Sequence, residues 1–245
     1  MRQERTGDSS GFGSRITETG KKIIIFYGII YVLELLFEHW FQIPVVSYLQ
    51  LFPLTNPFFH TWQIFTHPFM QNPESPFGFI ISCVMLYFFA APVENVLGRK
   101  RFIILFYAAA AGGAVCGLCL SGVSGFNAPF LGMMPSLLSL IVVFGLLNPE
   151  ATILLMFILP VKAKYLSYGT IIITFLTFLA KANPNGAYHL GGILFGYLYF
   201  RGYTAYLDPR FIYLKYLEYQ LRKKRSRFQV INGKKESDDD DPTYH

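Results

Sequence analysis

His189-Leu190-Gly191-Gly192-Ile193-Leu194-Phe195-Gly196 sets one histidine inside a strongly apolar stretch, with glycines three and seven positions on. The run 187–203 carries no charge before Arg201. A titratable ring in hydrocarbon is costly and comes with a partner or a job. Glycines at that spacing fall near one helix face, where a neighbouring helix can pack closely. The stretch therefore reads as a histidine presented at a tight helix–helix seam in a membrane, with Gly191, Gly192 and Gly196 as packing positions.

Working outward, the composition agrees. Mean hydropathy is +0.38, and charged residues are only 15% of the chain against 53% hydrophobic, well below the charge of a soluble domain. The apolar residues fall in blocks of roughly 20, the length that spans a bilayer. Six such blocks are legible, at 22–41, 77–95, 102–121, 130–148, 165–180 and 187–203. The residues before them are polar and lack the apolar core of a signal peptide, so none is expected. The expected fold is an all-α membrane protein, a bundle of six transmembrane helices at 22–203 between a short N-terminal segment, 1–21, and a tail, 204–245.

The 21 lysines and arginines set the orientation. Arg2, Arg5, Arg15, Lys21 and Lys22 precede or open the first span. Arg99, Lys100 and Arg101 follow the second, Lys162 and Lys164 the fourth, and ten follow the sixth; the alternate loops hold only Lys181. By the positive-inside rule both termini lie in the cytoplasm, and a cell (inner) membrane is expected. The net charge of +6 is then a topology signal, and no nucleic-acid partner is expected. Cys83, Cys116 and Cys119 lie inside predicted spans, without disulfide or metal spacing; no metal and no cofactor are expected.

The first outer loop, 42–76, has no lysine or arginine and is rich in proline and aromatics. Such a loop is expected to dip into the outer leaflet and pack on the bundle. His60 and His67 read as loop residues. Residues 151–164 suit a short interfacial segment before the fifth span. In the tail, 211–227 is a basic, aromatic helix candidate that would lie on an anionic leaflet, and 236–241 is an acidic, solvated end. Glu34, close to Glu38, reads as an interfacial carboxylate rather than a buried relay.

Four stretches in order carry a family resemblance. They are Trp62 with Thr66 and Phe69; Leu86-Tyr87-Phe88-Phe89 followed by Pro92-Val93-Glu94 and Gly98-Arg99-Lys100-Arg101-Phe102; Pro160-Val161-Lys162-Ala163-Lys164-Tyr165; and His189-Leu190-Gly191-Gly192 with Gly196. Together they resemble the rhomboids, six-span intramembrane serine proteases, over residues 62–203. The resemblance implies that His189 stands where the family has its catalytic base. It also implies a serine at the start of the fourth span, whose hydroxyl proton the histidine takes as the oxygen attacks.

Here the corresponding stretch is Leu131-Gly132-Met133-Met134-Pro135-Ser136, and alignment on Gly132 puts Met134 in the nucleophile position. Ser136 lies about 200° and Ser139 about 140° around a helix from Met134, so neither shares its face. Ser136 would qualify only if the fourth helix began after Pro135. The family's His-x-x-x-Asn oxyanion pair corresponds to Gly78 and Ser82, and losing one oxyanion donor costs about 10²–10³ in rate. The first-loop Trp-Arg has become Trp62-Gln63.

The reading taken is a rhomboid-like pseudoprotease that binds transmembrane protein segments within the lipid bilayer and does not cut them. In it His189 is vestigial, and the hydroxyls of Ser82, Ser136 and Ser139 are offered to an unwound client. Pseudoproteases of this superfamily imply such a client-binding role. The alternative is an active intramembrane serine endopeptidase with a divergent Ser136–His189 dyad. A small transporter or structural membrane protein is the third class.

Overall fold

The computed structural model of the chain describes residues 16–155, 159–181 and 184–202, and in the tail Tyr216, Leu217 and Gln220. Residues 1–202 form one structural unit and 203–245 a second. The expected acidic end and all but those three residues of the expected basic helix lie outside the described residues.

The first unit is built on six long helices. α1 is Glu18–Leu35 and runs on through a π-helical turn, Leu36–Trp40. The first loop holds two short helices, α2 (Val45–Leu49) and α3 (Gln63–Thr66), the latter continuing as a 3-10 turn, His67–Phe69. Then come α4 (Pro76–Leu97), α5 (Arg99–Ser124) and α6 (Met134–Leu147). After a hairpin, α7 (Ala163–Lys181) and α8 (Pro184–Phe200) complete the unit. Among the described residues, four helices are long and apolar enough to cross a membrane, at 18–40, 76–97, 99–124 and 163–180.

The helix of the fourth apolar block starts only at Met134, not at 130. With 14 residues it is about 21 Å long, short of a hydrocarbon layer of roughly 30 Å. Its lead-in is irregular backbone, which membrane depth tolerates only where protein satisfies its polar groups. Here protein does so. Leu51 and Phe130 exchange both backbone hydrogen bonds, at 2.9 and 2.7 Å. The Gly132 N–H donates to the His67 carbonyl at 2.9 Å, and the Tyr188 hydroxyl donates to the Gly132 carbonyl at 2.8 Å. Gly132 sits at φ +90°, a conformation that glycine adopts freely and side chains resist.

α6 is the central helix: Pro135–Leu137 and Ser139–Gly145 are all buried. α8 reaches it and α5 through glycines. A methyl on Gly192 would lie 2.3 Å from Pro135 Cβ, one on Gly196 would lie 1.7 Å from Ser139 Oγ, and one on Gly191 would lie 2.6 Å from the Gly112 carbonyl. Reciprocally, Gly112 makes room for Phe195, and Gly113 for the Tyr188 carbonyl and Pro135. At Gly191, Gly192 and Gly196 a side chain would therefore meet α5 or α6.

The segment at 151–164 departs from an all-helical chain. Thr152–Leu155 (β1) and Leu159–Lys162 (β2) pair antiparallel, with Thr152 opposite Lys162. Glu150 at its base pairs with Lys162 at 2.7 Å and Lys164 at 2.5 Å. Hydrogen bonds from the two ammoniums hold the Glu150 carboxyl at about 2, below the usual carboxylate range. The pair is exposed, so its contribution to stability is small.

Glycine packing yields a direct test. Gly122→Val on α5 meets open space, whereas Gly192→Val forces α8 off Pro135. Overpacking of this kind costs about 1–3 kcal/mol. Thermal unfolding in detergent is expected to show Gly192→Val clearly destabilised and Gly122→Val close to the parent; equal midpoints would mean that the seam is slack.

Candidate functional site

α6, α7 and α8 enclose a cavity of about 280 Å³, lined by Met134 and Leu138 of α6, Ile173, Thr174 and Thr177 of α7, and Asn185, Gly186 and His189 of α8. Helix α6 begins at Met134 with Pro135 in its first turn, the register in which Met134 is the first residue of α6 to line the cavity. The thioether thus shares the cavity with the imidazole. A thioether carries no proton for a base to remove, so Met134 cannot be an activated nucleophile. The two threonines in the wall give their protons to their own helix: Thr174 to the Thr170 carbonyl at 2.7 Å and Thr177 to the Ile173 carbonyl at 2.8 Å.

The serines stand elsewhere. Ser136 is fully buried, and its hydroxyl donates to the Phe106 carbonyl of α5 at 2.7 Å. Ser139 is packed under Gly196, and its oxygen has no partner among the described residues. Ser82 donates to the Gly78 carbonyl one turn back, at 2.9 Å. Two of the three hydroxyls expected to face a client are therefore spent on backbone carbonyls, because a buried hydroxyl next to a free carbonyl bonds it. Of Ser82, Ser136, Ser139 and His189, it is His189 that lines the cavity.

Beside α4, the place of a larger side chain at 78 is taken. A methyl on Gly78 would lie 2.7 Å from Ser75 Oγ and 3.1 Å from Gln71 Nε2, and one on Gly132 would lie 3.5 Å from Gln71 Oε1. The Gln71 amide thus lies between α4 and the lead-in to α6. Its Oε1 accepts from the Tyr27 hydroxyl at 3.0 Å, and its backbone N–H points at both Glu34 oxygens, 3.3 Å away. Gln71 carries no motif, so nothing in the sequence singled it out.

Glu34 is buried in the protein: only 2% of it is exposed. The reason was visible, since Tyr27, Tyr31 and Glu34 recur at four and three residues, one face of α1, and all three are buried.

The first loop is held by amide and imidazole side chains. Gln63 is fully buried. It donates to the Phe58 carbonyl at 2.9 Å and the Tyr48 carbonyl at 3.3 Å, and accepts from the backbone N–H groups of Phe52 and His60, both at 3.2 Å. Trp62, half exposed, donates to the same Tyr48 carbonyl at 3.3 Å. A neutral amide suits a site that both gives and takes hydrogen bonds; a guanidinium only gives.

His67 is more than a loop residue. It is fully buried, with Nδ1 2.9 Å from the Gln63 carbonyl, which makes Nδ1 the protonated nitrogen. Its ring meets that of Tyr188 edge-on, with centroids 5.7 Å apart. Burial lowers its pKa to about 4.

A profile of eukaryotic integral membrane proteins (DUF1751) matches residues 22–210, from α1 through α8 and beyond. The chain belongs to that family. It is accordingly a multi-pass integral membrane protein of a eukaryotic lineage, in keeping with its apolar helices. No curated protein matches it. Among the described residues no three His, Cys, Asp or Glu side chains gather as a metal site.

The His67 environment predicts a pH dependence. An unfolded histidine titrates near 6.5, so between about 6.5 and 4 the unfolded chain binds the extra proton. Stability is then complete above about 6.5 and is lost as pH falls toward 4, by up to roughly 3 kcal/mol. Denaturation of the parent and of His67→Gln across this range is expected to show a shallower acid slope for the variant; parallel slopes would remove His67 as the cause.

Proposed function

We propose that this chain is a rhomboid-like pseudoprotease. It has six spans with both termini in the cytoplasm of a cell, and it binds transmembrane segments of client proteins without cleaving them. One observation carries the reading: Met134 and His189 line a common cavity, while Ser136 gives its proton to the Phe106 carbonyl. A base without a nucleophile can still hydrogen-bond an exposed client carbonyl or amide. The four ordered sequence stretches and the alternation of lysine and arginine between loops support the fold and the orientation.

In this reading the client enters between α4 and α7 and meets the cavity wall formed by Leu138, Thr177 and His189. Helices that bind in lipid gain from close packing and from a few hydrogen bonds of modest strength, so a cavity with an imidazole and an amide in a largely apolar wall favours segments that are locally unwound. Proteolysis would require Ser136 to leave Phe106 and an oxyanion to be held without donors at Gly78. Rebuilding a histidine at 78 also requires Gln71 to vacate the space.

The test is reconstitution with a generic transmembrane substrate. The parent, Ser136→Ala and His189→Ala are all expected to leave it intact. A photo-crosslinker at Leu138 or Thr177 is expected to capture the substrate's transmembrane segment, and one at Gly122 on open surface is not. Cleavage by the parent that is lost in both variants would overturn the proposal in favour of an endopeptidase, and failure to crosslink at either cavity position would remove the client site.

A further inference from the structure

A second cavity, away from His189, has a buried carboxyl group in its wall. About 430 Å³ of space lies beneath the first loop, between α1, α2, the α3 turn and α5. Its walls include Phe26, Leu33, Phe37, Phe69 and Tyr107, and the Glu34 side chain lines it too. The ring of Phe69 meets Phe26 edge-on at 5.3 Å and lies 6.0 Å from Tyr107. Glu34 is 98% withdrawn from solvent, being 2% exposed, and its hydrogen-bond partner is the single backbone N–H of Gln71, at 3.3 Å from each oxygen. A carboxylate has about four acceptor sites. Among the described residues the ion pairs are those of Glu150 with Lys162 and Lys164, so none of these cations reaches Glu34. One turn on, Glu38 is not part of the cleft wall; its carboxylate accepts the Val46 N–H at 3.0 Å.

We propose that this cleft binds a single-chain amphiphile with a protonated amine head. The ammonium would supply Glu34 with both the opposite charge and the missing donors that a buried carboxylate requires. Aromatic faces within reach of a cation add attraction of their own, which grows when the site is dry. The Glu34 carboxylate repels an anionic head, and a neutral alcohol offers one donor and no charge. Most of the rest of the wall is apolar, matched to a hydrocarbon chain, and the Thr66 hydroxyl in it donates to the Leu49 carbonyl. Entry is from the bilayer: Phe26, Leu33 and Phe65, all on the rim, are 51%, 45% and 71% exposed. The volume is in the range of small-ligand sites and equals only about one turn of a helix roughly 10 Å wide, too little for a transmembrane segment. The amphiphile site stands independently of the client reading for the His189 cavity.

The experiment uses full-length protein in a neutral detergent with three probes of equal chain, oleylamine, oleyl alcohol and oleic acid, binding being read by native mass spectrometry and by thermal shift. The parent is expected to bind oleylamine at least tenfold more tightly than oleyl alcohol, and oleic acid least. Glu34→Gln is expected to erase the tenfold preference. Ile30 lines the cleft as well; Ile30→Phe, which narrows the cleft and keeps the carboxylate, is expected to weaken oleylamine at least tenfold, and it stands in if Glu34→Gln does not fold. Equal binding of amine and alcohol by the parent overturns the proposal. So does an amine preference kept in Glu34→Gln, or undiminished amine binding in Ile30→Phe, which would put the amine elsewhere.

Discussion

The contact on which the other features depend is the approach of α8 to α5 and α6 with a glycine on one side of each close contact. Gly192 lies against Pro135, Gly196 against Ser139, and Gly112 against Phe195. In lipid there is no hydrophobic drive to push helices together, so van der Waals contact and small residues do this work. The seam fixes which face of α8 looks at α6 and which looks toward α7. His189 comes to the cavity because Gly192 and Gly196 hold the neighbouring positions flush against α6.

A second constraint follows from the shortness of α6. A helix that begins at Met134 leaves nine lead-in residues, 125–133, whose backbone must be satisfied without a helix. The first loop supplies the partners: Leu51 pairs with Phe130, and the His67 carbonyl takes the Gly132 N–H. Gln63 and His67 are buried for this reason, as struts of the loop that braces the start of α6. The loop's apolar exterior, with Phe58, Trp62 and Phe65 exposed, suits contact with lipid, where its polar interior would be unstable alone.

The polar side chains of the interior are mostly turned inward on backbone. Ser82, Ser136, Ser167, Thr170, Thr174 and Thr177 all donate to carbonyls. Such bonds are the cheapest way to bury a hydroxyl in apolar surroundings. What is left facing the two cavities is sparse: an imidazole and an amide in the first and one carboxyl group in the second. Sparse polar groups in an apolar wall give orientation and selectivity to whatever enters.

Much of this was legible in one dimension. The apolar blocks, the glycine spacing after His189 and the clustering of lysine and arginine follow from bilayer thickness, helix periodicity and the cost of moving charge across lipid, all properties of consecutive residues. The tyrosine–tyrosine–glutamate face of α1 belonged to the same class of signal, yet a carboxylate near a span's end read as interfacial because burial depends on what packs over it. Gln71 filling the space beside Gly78, the true start of α6, the hairpin at 152–162 and the destination of the Ser136 proton depend on partners from 4 residues away, in the hairpin, to 79 away, between Leu51 and Phe130, and leave no periodic trace. The sequence by itself determined that this chain is a helical membrane protein with a histidine at a tight seam, because those facts are local. Only the tertiary structure decided that Met134 shares the cavity of that histidine and that Ser136 is bonded elsewhere, because hydrogen bonds between helices are set by packing at distance, not by spacing along the chain.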